Sequence, residues 1–214
     1  MMTKLSLYLP VFLNLLVLFS QQADALNIVI PGGTGKIARL LIPKLSECDV
    51  SVLSRNAYLA SAPNRVTETF GYLGGPFLSR NPHVKIRDWD GGDLLDIVGQ
   101  DWIGWQEDTL SKADVVIHLF GGFTEQRNMA TERVVRESLR VNPSALQITV
   151  NLIEEDISSV SPGMFTLKAK RLNDCESMVK KNCQNTVSLR LEAYQDAKVC
   201  EEICKAVENW KSNA

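Results

Sequence analysis

Histidine is scarce in this sequence. His83 and His118 are the only two in 214 residues, and they stand on separate segments. A histidine-built metal centre is thereby excluded, and no metal ligand set is expected. Cysteine is also poorly organised. Cys48, Cys175, Cys183, Cys200 and Cys204 are odd in number and contain no Cys-x-x-Cys pair. They fit neither a zinc site nor a disulfide framework. Cys200 and Cys204 lie one helical turn apart and read as small buried groups. A basic excess is missing too. Lys and Arg number 23 against 25 Asp and Glu, for a formal net charge of -2. That balance excludes a general nucleic-acid-binding surface. No Asn-x-Ser/Thr acceptor exists, because Asn142-Pro143-Ser144 is disqualified by its proline.

What is present is the composition of one folded domain with an appendage: 45% hydrophobic and 22% charged residues. Low-complexity, collagen-like and multi-pass membrane chains are excluded by the same figures. The appendage is residues 1–25. Lys4 gives a positive start, Leu5 to Phe19 is apolar except for Ser6, Pro10 and Asn14, and Ala23-Asp24-Ala25 offers a small-residue cleavage site. That order predicts a secretory-type signal segment. The apolar run falls short of the ~20 residues of a spanning helix, so no membrane span is expected after its removal. Removal takes one Lys and one Asp, leaving the net charge at -2. The expected destination is the secretory pathway or an organelle reached through it. Residues 26–214 are then the folded domain.

Within that domain, short β-branched runs alternate with amphipathic stretches. Strands are expected at residues 27–30, 50–53, 84–87, 114–119, 146–153 and 186–191. The fourth, DVVIHL, is unbroken enough to be buried on both faces. His118 inside it reads as a satisfied core histidine. Helices are expected at 36–45, 124–141, 168–182 and 197–210. Alternation of this kind predicts an α/β fold, a doubly wound parallel sheet of about six strands with helices on both faces. Residues 57–83 and 91–112 break the rhythm and read as surface insertions. Trp89, Trp102 and Trp105 are expected to anchor the second one against the sheet.

The first strand runs directly into Pro31-Gly32-Gly33-Thr34-Gly35-Lys36-Ile37-Ala38, with Gly32, Gly35 and Ala38 in the spacing G-x-x-G-x-x-A. The spacing has a physical reading. Gly32 supplies freedom for a sharp strand-to-helix turn. Gly35 lets backbone approach a pyrophosphate, and Ala38 is small enough for the helix to sit close to the sheet. The helix start offers amides and a partial positive charge to the anion. Strand, loop, helix and second strand at this spacing make dinucleotide binding the expectation. A P-loop is excluded, because Ile30 stands at the first glycine position and Ile37 where Ser or Thr would hold magnesium. The second strand ends Ser54-Arg55-Asn56, with no acidic group for ribose hydroxyls and a guanidinium instead. That suits a 2′-phosphate. NADP(H) is therefore expected over NAD(H), with Arg39 as a candidate second cation.

The stretch IVIPGGTGKIARLLIPKLSECDVSVLSRN resembles the opening of extended and atypical short-chain dehydrogenase/reductase proteins, the NAD(P)-dependent epimerase/dehydratase-like group. Trp89-Asp90, residues 113–119, and residues 131–141 resemble its sugar-nucleotide-epimerase-like branch. The resemblance implies a Rossmann fold. It also implies that Gly32, Gly33, Thr34, Gly35, Lys36 and Ile37 line a diphosphate, that Ser54 and Arg55 meet the adenosine ribose phosphate, and that Asp90 lies near the adenine. Leu119, Phe120 and Gly121 would follow the fourth strand beneath the nicotinamide side. The chain departs from the group at its chemistry. The family's Tyr-x-x-x-Lys is matched by Thr166 and Lys170, and an aliphatic hydroxyl is far less acidic than a phenol. Ser158 stands near the position of the family's catalytic serine. After the sixth strand only residues 192–214 remain, so the substrate domain of extended members is expected to be truncated. Two functions follow from this reading. One is a small NADP(H)-dependent oxidoreductase or epimerase acting on a small carbonyl or hydroxyl substrate. The other is a non-catalytic dinucleotide-binding sensor or assembly factor of the same fold.

Overall fold

The computed structural model describes residues 25–62, 73–89, 91, 104–120, 125–152, 164–191 and 195–213. The expected signal segment lies outside them, apart from Ala25. Six strands form a single sheet: β1 (Asn27–Pro31), β2 (Asp49–Ser54), β3 (Val84–Asp88), β4 (Val115–His118), β5 (Leu146–Leu152) and β6 (Thr186–Leu191). Their order is β3-β2-β1-β4-β5-β6, and every neighbouring pair is parallel. This is the doubly wound order. The chain reverses its direction of travel between β1 and β4, and that switch point opens a crevice at the carboxyl end of the sheet.

The helices are α1 (Lys36–Leu41), α2 (Ala57–Ser61), α3 (Gly75–Arg80), α4 (Trp105–Asp108), α5 (Gln126–Val141), α6 (Met164–Asn182) and α7 (Asp196–Asn213). Each strand expectation is met to within two residues. The first helix differs. The sequence pattern predicts one helix to Leu45, whereas α1 ends at Leu41 and a 3-10 turn covers Ile42–Leu45. Pro43 has no amide to donate and its ring disfavours a continuing α-helix, so the chain tightens there. The insertion at 57–83 carries α2 and α3, and that at 91–112 carries α4.

Alternation along the strands divides the core in two. Ile28, Ile30, Val50, Val52, Val115, Ile117 and Ile148 face α1 and α7, where Leu41, Cys200 and Ile203 are wholly buried. Val29, Leu53 and Val116 face the other way, toward Trp105, Leu110, Ala130 and Val134. Burying each large side chain contributes ~1.5–3 kcal/mol, so both layers hold the sheet. β4 is buried at every position, as its sequence predicts. Among the described residues no helix is long and apolar enough to cross a membrane, and no cluster of three His, Cys, Asp or Glu could hold a metal ion.

Candidate functional site

The glycine loop sits at the switch point. Gly32 has φ of +71°, in the left-handed region that L side chains avoid. A Cβ there would come within 2.9 Å of the Phe120 Cα. The loop is thus pressed against the residue that follows β4, and Leu119 N donates to Pro31 O at 3.3 Å. Gly33 is tight for another reason: its Cβ would meet Ile30 Cγ2 at 2.8 Å. Gly35 is the opposite case, since nothing lies within 4 Å of where its Cβ would be. Ala38 is buried at 1% exposure, as close helix-to-sheet packing requires.

The amides sort in the same way. Gly32 N donates to Leu53 O, Gly33 N to Ile30 O and Thr34 N to Gly32 O. Those three bonds fix the turn. The amides of Gly35, Lys36 and Ile37 have no backbone acceptor among the described residues. Among the described residues the loop therefore presents three amides without a backbone acceptor beside an open space over Gly35. That is the donor set an oxyanion of a diphosphate takes. Ile37 turns its side chain into the core while Cys200 Sγ lies 3.6 Å from its carbonyl oxygen. Lys36 is exposed and pairs with Asp196 at 2.6 Å, at the first residue of α7.

The end of β2 is built to hold Arg55. Ser54 Oγ accepts from Asn56 N at 3.3 Å, and Asn56 Oδ1 caps α2 by accepting from Leu59 N at 2.8 Å. Trp89 N donates to Ser54 O, and Asp88 Oδ1 accepts from Ala57 N at 2.6 Å. These bonds tie the ends of β2 and β3 together. Across them lies the Arg55 stem: a Cβ on Gly91 would fall 2.5 Å from Arg55 Cδ and 2.7 Å from Cγ. Gly91, at φ +76°, is the floor on which the arginine rests. Arg55 is exposed, and no carboxylate pairs with it among the described residues. Asp88, the nearest described acid in sequence to that floor, is committed to the α2 amide. Sequence reading missed Gly91. Its only signal is a glycine two residues beyond Trp89, where the third strand ends.

Phe120 has a structural occupation. It stacks on Trp89 at 5.5 Å, and Trp89 meets Trp105 edge-on at 5.6 Å. Trp89 and Trp105 are buried, so they anchor the insertion to the sheet as expected. Arg39 packs its guanidinium over the Phe77 ring at 5.7 Å, on α3.

The expected reaction side is less organised. Thr166 lies in the first turn of α6, and Lys170 is exposed further along it. No described bond connects Lys170 to the glycine loop. Asp90, Gly121 and Ser158 lie outside the described residues, as does Trp102. His118 is buried, with Nε2 on Gln147 Oε1 at 2.9 Å, and Gln147 Nε2 donates in turn to Ser138 Oγ. Burial, helped by the nearby Arg127 charge, lowers its pKa to about 4, so it is a neutral core group. The expectation of a satisfied histidine is half right, because Nδ1 is buried without a partner. A groove of about 210 Å³ lies along the amino-terminal part of β1–β3, between His83, Lys85, Arg87 and Lys112. None of the expected site residues lines it.

No protein-family model matches this sequence, and no curated protein does. Solved structures do match its fold. A Thermus thermophilus protein assigned as a short-chain oxidoreductase superposes with a TM-score of 0.58 at 13% identity, covering 85% of this chain and 95% of its own. NmrA, a negative transcriptional regulator solved with NADP, gives 0.52 at 12% identity over 78% of this chain and 45% of its own. The Bordetella bronchiseptica enzyme WbmH, solved with NAD+, gives 0.52 at 13% identity over 79% of this chain and 57% of its own. The chain therefore has the Rossmann fold that these three structures share. It spans about half the length of NmrA and WbmH.

Proposed function

We propose that this chain binds NADP(H) at the β1–β4 switch point and acts as a small oxidoreductase or epimerase of the short-chain type. One observation carries the reading: three loop amides without backbone acceptors, next to a glycine whose missing side chain leaves open space. Both features fit a diphosphate, and neither is needed to pack the loop. Gly35, Lys36 and Ile37 would hold the diphosphate through their amides. Arg55, supported on Gly91, would take the 2′-phosphate by a charge-assisted contact worth ~1.5–3 kcal/mol. When bound, the nicotinamide supplies a hydride donor or acceptor. The NADP and NAD+ seen in NmrA and WbmH support the cofactor class and leave the choice between the two to Arg55.

A second reading, a sensor that binds the cofactor without turnover, draws on the α6 side. Thr166 replaces a phenol, and Lys170 stands exposed with no described partner. One experiment separates all outcomes. Thermal melting is recorded with NADPH and with NADH, and NADPH oxidation is then followed over a panel of carbonyl compounds. A melting shift with NADPH that exceeds the NADH shift is expected, by mass action on the folded state. Equal shifts remove the NADP preference, and no shift with either removes the site. Turnover selects the enzyme, and binding without turnover selects the sensor.

A further inference from the structure

A parallel sheet covered on both faces needs strands that are apolar at nearly every position, and β4 is such a strand. β2 and β3 are not. In β2, buried Val50 and Val52 alternate with the polar Asp49 and Ser51, and in β3, Val84 and Ile86 alternate with Lys85 and Arg87. Val50, Val52, Val84 and Ile86 belong to the layer under α1 and α7. Ser51, Lys85 and Arg87 therefore lie on the opposite face, the one that carries Val29 and Leu53. The register sets Ser51 opposite Lys85 and Leu53 opposite Arg87. This polar face is the floor of the groove of about 210 Å³.

The turn that follows α4 forms its wall. Thr109 Oγ1 donates to Trp105 O at 2.6 Å and Lys112 N to Thr109 O at 3.3 Å, so the wall is held by its own bonds. Asp114 Oδ2 accepts from Asn27 N at 2.8 Å and ties the end of that turn to β1. Lys85 and Arg87 reach the groove from the floor and Lys112 from the wall. Asp49 and Asp108 also line it, and Arg87 meets Asp108 at 4.0 Å. Three cations thus face two carboxylates. His83 Nε2 is engaged with Ile42 O at 3.1 Å. Every lining residue belongs to the described part of the chain. β3 is an edge strand, and a lysine there also guards against strand addition. That role does not call for Lys112, which comes from a different element.

We propose that this groove is a second anion site, for the phosphate group of a small molecule, held between the ammoniums of Lys85 and Lys112. It is separate from the glycine loop: Ser51 lies four residues before Arg55, or ~13 Å along β2. The proposal therefore stands without the dinucleotide reading. A phosphate suits the groove better than a carboxylate. Two ammoniums on facing sides act as point charges, and a tetrahedral anion accepts from both. A planar carboxylate is best gripped by a guanidinium fork, and the guanidinium here is turned to Asp108. The volume falls below the ~300–1,000 Å³ of drug-sized pockets, so the ligand is free phosphate or a phosphoester with a short carbon chain.

The test is calorimetric titration of the full chain with inorganic phosphate, glycerol 3-phosphate and lactate, in chloride buffer at fixed ionic strength. Both phosphates are expected to bind and lactate is not. Tighter binding of glycerol 3-phosphate supports a phosphoester, and tighter binding of inorganic phosphate supports the free ion. Lys85→Gln and Lys112→Gln should each weaken phosphate about tenfold. Both side chains are exposed, so the variants should melt like wild type. Arg55→Ala should leave phosphate binding unchanged. Lys205→Gln, which makes the same charge change on α7, should do the same. Loss of phosphate in Arg55→Ala with full binding in the two groove variants assigns the anion to the dinucleotide cleft and overturns the groove site. An equal loss in Lys205→Gln reduces the effect to general charge attraction and overturns it too. So does a wild type that binds neither phosphate. Lactate bound more tightly than phosphate overturns the phosphate class.

Discussion

The two halves of the carboxyl edge are built from different material. On the β1–β2 side, function is written in backbone: a turn closed by three internal bonds, three amides left over, and glycines where side chains would collide. On the β4–β6 side it is written in side chains, and most of them satisfy each other. Glu176 is 2% exposed and takes bonds from Asn151, Lys180 and Arg190. His118, Gln147 and Ser138 form a chain of their own. The lesson is that polarity by itself does not mark a site. A polar group matters for binding when its partners run out, which among the described residues happens at Gly35–Ile37 and at Arg55.

The sharpest way to break this comparison is to substitute within the loop. Gly32→Ala places a Cβ 2.9 Å from the Phe120 backbone at φ +71°, and neither atom can move away cheaply. A left-handed alanine costs ~1–2 kcal/mol before the collision is counted, so the variant should lose at least ~2 kcal/mol of stability in urea titrations. Gly35→Ala is its counterpart. Its Cβ meets nothing within 4 Å, and its φ of -85° is ordinary. Stability should change by less than ~1 kcal/mol, while NADPH affinity falls. If Gly35→Ala leaves cofactor binding intact, the open space is not a phosphate site. If it destabilises as much as Gly32→Ala, the two glycines do the same job and the division between them fails.

On the side-chain half, His118 makes a pH prediction. Its folded pKa, about 4, lies below the ordinary 6.5 because burial opposes the charge. The unfolded chain therefore binds the proton first as pH falls. Stability from this group is fully present above pH ~6.5 and is lost on descending toward pH ~4, by ~3 kcal/mol if the whole shift is expressed. Glu176 acts in the same direction at lower pH. Burial would raise its pKa, but Lys180, Asn151 and Arg190 together outweigh burial and hold it below the usual value. Denaturation midpoints measured at pH 7, 6 and 5 in wild type and His118→Gln would check this. An unchanged slope in the variant would assign the pH dependence elsewhere.

Much of this is legible without the structure, and unevenly so. The parallel, doubly wound sheet follows from alternation and short connections. Gly32 and Ala38 are readable because the turn and the helix approach are local demands. Gly33 does not separate from them, since its collision with Ile30 depends on how tightly the chain folds back. Phe120 reads as a residue facing the cofactor, but its ring is committed to Trp89, a partner 31 positions away in sequence. Arg39 packs over Phe77, a contact that the sequence does not foretell.

Next in size is the Arg55 support. Gly91→Ala would push a methyl into Arg55 Cδ and Cγ at 2.5 and 2.7 Å. The stem would swing off its floor, and the guanidinium would lose its fixed position. The preference for NADPH over NADH should then shrink by roughly tenfold or more, most of the way to that of Arg55→Ala. Isothermal titration of both cofactors into the three proteins measures it. If Gly91→Ala keeps the full preference while Arg55→Ala loses it, Arg55 works without its floor.

The smallest effect is expected at Lys36. Its ammonium pairs with Asp196 at 2.6 Å but is 81% exposed, so the bridge contributes little to stability. It matters for charge. Asp196 places a carboxylate beside the loop that would receive a diphosphate, and it holds the nearest lysine. Asp196→Asn removes that negative charge and releases Lys36 toward the anion. NADPH should bind about two- to fivefold tighter at low salt, with the gain fading as the ionic strength approaches ~1 M, where screening shortens to a few ångströms. Melting without cofactor should barely move. A gain that survives high salt would point to a rearranged loop rather than to electrostatics, and weaker binding would mean that Asp196 positions Lys36 for the phosphate instead of withholding it.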